Sequence, residues 1–266
     1  MNLFFRELAA NKRSTFIWII SLSALVCVFM LMYPAFSKDV DVSRQIIANL
    51  PPGLRKAFEL STQSFFTIYG FFAYLLTFVT LAGSIQAMSL SVSALAKENI
   101  NKTADFLLTK PISRFKIVSS KLTAVVCLIL ITNVIFSLVA LITAKLTSTD
   151  AFSSRTFLLI SGVLLLVQLF FVALGFMMSV LIPKIKSAIA VALPTVFAFF
   201  ITGMLGAIIG NDNVKYLSPF KFYDHNYIID HNMYELKFLI IEVVFVIIAV
   251  LISFVIYIRK DINAGS

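Results

Sequence analysis

From Phe16 to Phe36 the chain passes through 21 residues without one charged side chain. A helix rises 1.5 Å per residue, so a run of this length spans about 30 Å, the hydrocarbon thickness of a bilayer. A helix apolar on every face belongs in the core of a large protein or in a membrane. The run is not alone. Ser61 to Ala96, Leu122 to Ala144, Thr156 to Ile182 and Ser187 to Ile209 are also uncharged, and Phe238 to Ile258 carries a single acid, Glu242. Composition then decides between core and membrane. Charged residues are 13% and apolar ones 60%, against roughly 25% and 45–50% in soluble domains. So few charges cannot cover a soluble surface. An ordinary globular enzyme, a disordered chain and a coiled coil are excluded. The expected fold is an all-α polytopic membrane protein, one domain over residues 1–266.

Six spans follow, at about 16–36, 65–88, 122–144, 156–182, 187–209 and 238–258. Basic Arg6, Lys12 and Arg13 precede the first, as in a signal peptide. That run exceeds the 7–15 residues of a signal core, and no small-x-small site ends it, so an uncleaved span is expected. The second stretch ends in Ser84, Gln86, Ser89, Ser91 and Ser93, too polar for lipid, so its helix is expected to continue into the cytoplasm. An even number of spans puts both termini on one side. That side holds 13 Lys/Arg and the other 9, with six of the 13 clustered in 97–121. The excess marks the cytoplasm. The net charge of +9 then reflects membrane orientation rather than nucleic-acid binding. Cys27 and Cys127 lie in apolar runs, where they pack and form no disulfide framework.

Several chemistries are missing from the sequence. There is no GxxxxGK[ST] phosphate loop, hence no ATPase site of the chain's own, and no HExxH or GxSxG. His225 and His231 sit in Asp-His-Asn triplets. Six residues apart, they face different sides of a helix. A loop could bring them together on a metal, or they belong to an outer interfacial segment, 210–237, where Tyr216, Tyr223, Tyr227 and Tyr234 form an aromatic belt. Glu242 is the one acid within a span. It is either functional or a structural residue that reaches water or pairs with a lysine. Gln86, Asn133 and Gln168 are expected to hydrogen-bond between helices. Gly206 and Gly210 form a small-xxx-small pair with Gly203 on the adjacent turn, suited to close helix packing within the chain or against a partner. Pro194 can kink the same span.

The informative loop joins spans two and three, at 97–121. Thr103 can cap a short helix and Asp105 suits its first turn. Phe106, Leu107 and Leu108 are apolar where water is expected. Pro111 ends the helix, and Ser113 can cap the next one, which runs through Lys121 into span three. The short helix would either dock on a soluble partner or rest on the bilayer surface.

The run from Lys97 to Lys121, KENINKTADFLLTKPISRFKIVSSK, resembles the loop of ABC-2-type transporter permeases, with its Glu, its small-acidic-Leu-Leu stretch and its Pro-x-Ser-Arg. Phe4-Phe5-Arg6-Glu7-Leu8 through Lys12-Arg13 resembles that family's N-terminal interfacial helix, over 1–15. Tyr216-Leu217-Ser218-Pro219-Phe220 resembles its outer Ser-Pro-Phe segment. The resemblance implies a permease subunit in the cell membrane, pairing with a second permease half and with cytosolic P-loop ATPase subunits that carry the ATP and Mg²⁺. Glu98, Thr103, Asp105, Phe106, Leu107, Leu108, Pro111, Ser113 and Arg114 would then form the ATPase-coupling element. Spans one and five would lie at the boundary between halves, with Gly203, Gly206 and Gly210 in the dimer interface. The small size resembles bacterial exporters of amphipathic or antimicrobial peptides, such as phenol-soluble modulin exporters. A secondary transporter would need intramembrane acids or broken helices, and only Glu242 qualifies. A non-transporting immunity or sensor subunit is the remaining alternative.

Overall fold

A computed structural model describes residues 3–38, 48–57, 65–100, 113–148, 151–182, 184–210 and 212–259. Eight helices are described: α1 (Leu3–Lys38), α2 (Pro52–Ala57), α3 (Ile68–Ile100), α4 (Arg114–Thr147), α5 (Ser154–Leu181), α6 (Ala188–Ile209), α7 (His225–His231) and α8 (Leu236–Arg259). Two 3₁₀ turns, Asp212–Leu217 and Pro219–Lys221, lie between α6 and α7. All but α2 and α7 are long and apolar enough to cross a membrane.

Local chemistry sets several of the boundaries. The Ser113 hydroxyl accepts from the Lys116 N–H and starts α4, and Ser153 does the same for α5 through Thr156. Helix α6 stops at Gly210, whose φ of 76° lies in the left-handed region and whose N–H bonds the Gly206 carbonyl. A glycine adopts that conformation without steric cost. The interfacial helix expected over 1–15 is not a separate element. α1 runs unbroken for 36 residues, because 3–15 holds neither Pro nor Gly to interrupt it.

Side-chain contacts fix the antiparallel order. Lys121 near the start of α4 bonds the Ala94 carbonyl near the end of α3 and Glu7 near the start of α1. Arg114 bonds the Ile258 carbonyl at the end of α8 (3.1 Å). Both terminal helix ends and both helix ends flanking 101–112 therefore share one end of the bundle. At the opposite end the Ser153 N–H donates to the Tyr69 hydroxyl (2.5 Å).

The centre is the pair α3 and α5. Glycines let them approach: a Cβ on Gly83 would lie 2.6 Å from Leu164 Cδ1, and one on Gly175 would lie 2.7 Å from Ser91 Cβ. Phe72 and Phe157 stack between them at 4.1 Å. α4 packs on both, α1 lies against α4 and α3, α6 against α3, and α8 against α5. Phe170 of α5 stacks on Phe245 of α8, again at 4.1 Å. These phenylalanines act as contacts between helices.

A polar ladder crosses this apolar core. Gln168 of α5, fully buried, donates to the Gly83 carbonyl (2.9 Å) and to Gln86 Oε1 (3.3 Å). Asn133 of α4 donates to Gln168 Oε1 (2.5 Å), and Gln86 donates to Thr132 Oγ1 (3.2 Å). Ser137 and Ser161 meet at 2.7 Å. In lipid a polar side chain is tolerated when another helix satisfies it. The same reasoning revises the expected tail of span two. α3 does extend to Ile100, but Ser84, Gln86 and Ser91 are buried inside the bundle rather than exposed to water. Replacing Gln168 with Leu should leave Gln86 Oε1 and one Asn133 N–H without their partner. The expected loss is about 1–3 kcal/mol, read as a lowered unfolding temperature of the purified protein in detergent.

Candidate functional site

The end that gathers both terminal helix ends and the flanks of 101–112 is built around one lysine. Lys121 sits two turns into α4 and is 1% exposed. Its Nζ lies 3.3 Å from Glu7 Oε1, and Glu7 itself is 6% exposed. The ammonium also donates to the carbonyl of Ala94. Three helices thus converge on one charged atom. A buried charge is tolerated only when paired and hydrogen-bonded, and the carboxylate and carbonyl meet that need. Around it α3 and α4 bury Leu95, Ala96, Val118 and Val125.

A second tie lies two turns closer to the loop. The Arg114 guanidinium donates to the Ile258 carbonyl, one of the acceptors a helix leaves unsatisfied at its C-terminus. Phe115 packs against Phe254 at 5.2 Å between ring centres. The loop exit is therefore held to α8, while the Lys121 tie holds α1, α3 and α4. Of the expected coupling residues, Ser113 caps α4 and Arg114 anchors it. Thr103, Asp105, Phe106, Leu107, Leu108 and Pro111 lie outside the described residues, and Glu98 is described only as helical backbone in α3.

The opposite end carries a folded cap, residues 212–235, seated on the bundle by hydrogen bonds. Glu242, 3% exposed, accepts from the Tyr223 hydroxyl at 2.6 Å. The acid is met by a tyrosine hydroxyl where a lysine was one expected partner. Tyr234 donates to the Leu159 carbonyl (2.7 Å), Thr156 bonds Asn232, and Ser218 donates to the Phe199 carbonyl (2.8 Å). Tyr223 and Tyr234 are therefore not part of an interfacial aromatic belt: they turn inward because their hydroxyls find acceptors in the bundle. A narrow cleft beneath the cap is lined by Thr77 and Thr80 of α3, Val163 and Val167 of α5, Phe200 and Met204 of α6, and Lys221 and His225 above.

The glycines expected at a dimer interface belong to this cap instead. A Cβ on Gly206 would collide with Val214, and one on Gly203 would lie 2.7 Å from Ser218 Oγ. Their bare backbone faces the chain's own cap, so it is not available to a partner. Gly210 ends α6. His225 and His231 stand at the two ends of α7, and His231 stacks on Tyr227 at 4.1 Å. Among the described residues no group of three His, Cys, Asp or Glu could hold a metal.

Six spans, a loop between spans two and three bracketed by tied helix ends, and a cap after span five define the architecture. The family model for ABC-2 family transporter proteins matches residues 1–262. The chain belongs to the ABC-2 transporter family. It is a membrane component of an ABC transporter, in a family whose permeases are the non-ATPase part. No curated protein matches it.

The burial of two charged residues of this ABC-2 chain escaped the sequence reading. Glu7 and Lys121 looked like members of a solvated cytoplasmic charge excess. Their signal was helical phase: Lys121 shares a face with buried Val118, Val125 and Leu128, at i−3, i+4 and i+7.

The cap makes a pH prediction. Burial pushes the Tyr234 phenol up to about 12 from its ordinary 10.0. Tyr223 is raised as well, by burial first and then by the charge of Glu242. A raised phenol is favoured neutral in the folded state, so its contribution is complete below pH 10 and is lost as pH climbs toward 12. A titration of phenolate absorbance should show a late component, and Tyr234→Phe should remove part of it. Gly206→Leu should unseat the cap through Val214, seen as faster protease cleavage between 212 and 235.

Proposed function

We propose that this protein is the permease half of an ATP-driven exporter, with the loop-bearing end in the cytoplasm and 101–112 seated on a separate P-loop ATPase subunit. The observation that carries the reading is the convergence at that end. Lys121 and Arg114 hold α1, α3, α4 and α8 together around the two mouths of one short loop. A push on that loop then meets a tied set of helix ends rather than one loose helix. The Lys/Arg excess of 13 against 9 favours the same end for the cytoplasm. ATP and Mg²⁺ would be held by the partner. The cargo would be amphipathic or hydrophobic, with a peptide as the leading candidate.

The second permease half would sit on the apolar faces of α1 and α6, both of which flank α3. α6 leaves Leu193, Phe197, Ile201 and Leu205 exposed at four-residue spacing, and α1 leaves Phe16, Ile17 and Ile20. This stripe lies away from Gly203 and Gly206, which the cap covers. The seam proposed from spans one and five is thus kept, with its residues changed.

Replacing Phe106 and Leu107 together with Asp should abolish co-purification of the ATPase while membrane insertion persists. Retention of a normal complex would remove the docking proposal. For the second half, a cysteine at Phe197 or Ile201 should cross-link between subunits in native membranes, and one at Gly206 should not. The reverse pattern would return the interface to the glycine face.

A further inference from the structure

The buried pair Glu7–Lys121 is a costly way to hold three helices together. A pair of apolar side chains of similar volume would serve stability as well or better. What a lysine adds is fixed geometry. Its bonds to Glu7 and to the Ala94 carbonyl refer α1, α3 and α4 to one point at this depth. That point is set where it matters for the loop. Ala94 lies six residues before the end of α3 at Ile100, and Lys121 lies seven after the start of α4 at Arg114. Both mouths of 101–112 are therefore referred to the same ammonium.

α1 then carries that position across the membrane. It is unbroken from Leu3 to Lys38, about 54 Å at 1.5 Å per residue. About two-thirds of the way along, Cys27 Sγ meets Thr143 Oγ1 of α4 at 3.5 Å. At the far end the Tyr33 hydroxyl donates to the Phe66 carbonyl (3.2 Å), just before α3 begins. Its remaining surface is largely exposed and apolar.

We propose that Glu7 and Lys121 are a positioning pair that transmits displacement of the loop into α1, so that α1 moves as a strut when the ATPase turns over. The inference rests on the reading of the chain as an ATPase-coupled permease. It adds the N-terminal helix, through one buried ion pair, as the element that carries the stroke.

The test uses the intact complex in nanodiscs, with spin labels on cysteines at Met32 and Leu158, exposed sites near the far ends of α1 and of α5, a helix outside the Lys121 tie. Distances between labels are read with and without ATP and vanadate, beside ATP hydrolysis. Lys121→Met alone leaves Glu7 buried without its counter-charge and is expected to fold poorly. The double variant Glu7→Leu with Lys121→Met removes both charges and should recover the parent unfolding temperature. The expected result is that this double variant still binds the ATPase and hydrolyses ATP, while the nucleotide-dependent distance shift seen in the parent is lost. A double variant that keeps the full shift would reduce the pair to a structural role and overturn the inference, as would a parent complex in which α1 does not move. Absence of any ATPase from the parent complex would instead overturn the functional reading itself.

Discussion

A lysine ammonium removed from water must find an anion and acceptors, or it loses its charge. In this chain that requirement organises one whole end of the bundle. Glu7 arriving from α1 and the Ala94 carbonyl from α3 help to make the burial of Lys121 possible. Helix α1 must therefore begin well before the hydrocarbon, which accounts for its unbroken length. α3 must run past its apolar segment to bring Ala94 to the same depth. The loop between α3 and α4 inherits fixed ends from this one contact.

The two ends of the molecule use opposite solutions to the same desolvation problem. The loop-bearing end buries a charged pair and an Arg114 contact to a helix C-terminus. The other end buries a single acid, Glu242, against a tyrosine hydroxyl and folds its cap over α6 glycines. Between them α3, α4 and α5 are joined by amides and hydroxyls at membrane depth, with glycines admitting close approach. α1, α6 and α8 surround this core with mostly exposed apolar surface. Apolar surface of that kind suits helices that meet lipid.

Much of this was legible in the residues. Apolar runs of bilayer length, five of them uncharged and the sixth holding only Glu242, located all six spans, because the hydrocarbon tolerates little else. Ser113 was recognisable as a cap, and Gln86, Asn133 and Gln168 as groups needing partners across helices. Other roles were hidden because they depend on what lies opposite. Gly206 reads equally well as a helix–helix contact or as room for Val214, and only the fold of 212–217 decides. Tyr223 and Tyr234 carry the composition of an interfacial belt, yet their hydroxyls are claimed by Glu242 and Leu159. Lys121 was concealed by its company, one basic residue among six in 97–121, and only its helical phase separated it from solvated neighbours.

The central claim is that the end carrying Lys121 and the loop faces the cytoplasm and receives an ATPase. Lys116 is exposed on the first turn of α4, beside the loop exit. With Cys27 and Cys127 replaced by Ala, a cysteine at Lys116 can be probed with a membrane-impermeant maleimide in intact cells and in inside-out vesicles. Labelling only in the inverted vesicles, and its suppression when the ATPase subunit is bound, is the expected result. Labelling from the outside of intact cells, or labelling unchanged by the ATPase, would contradict it.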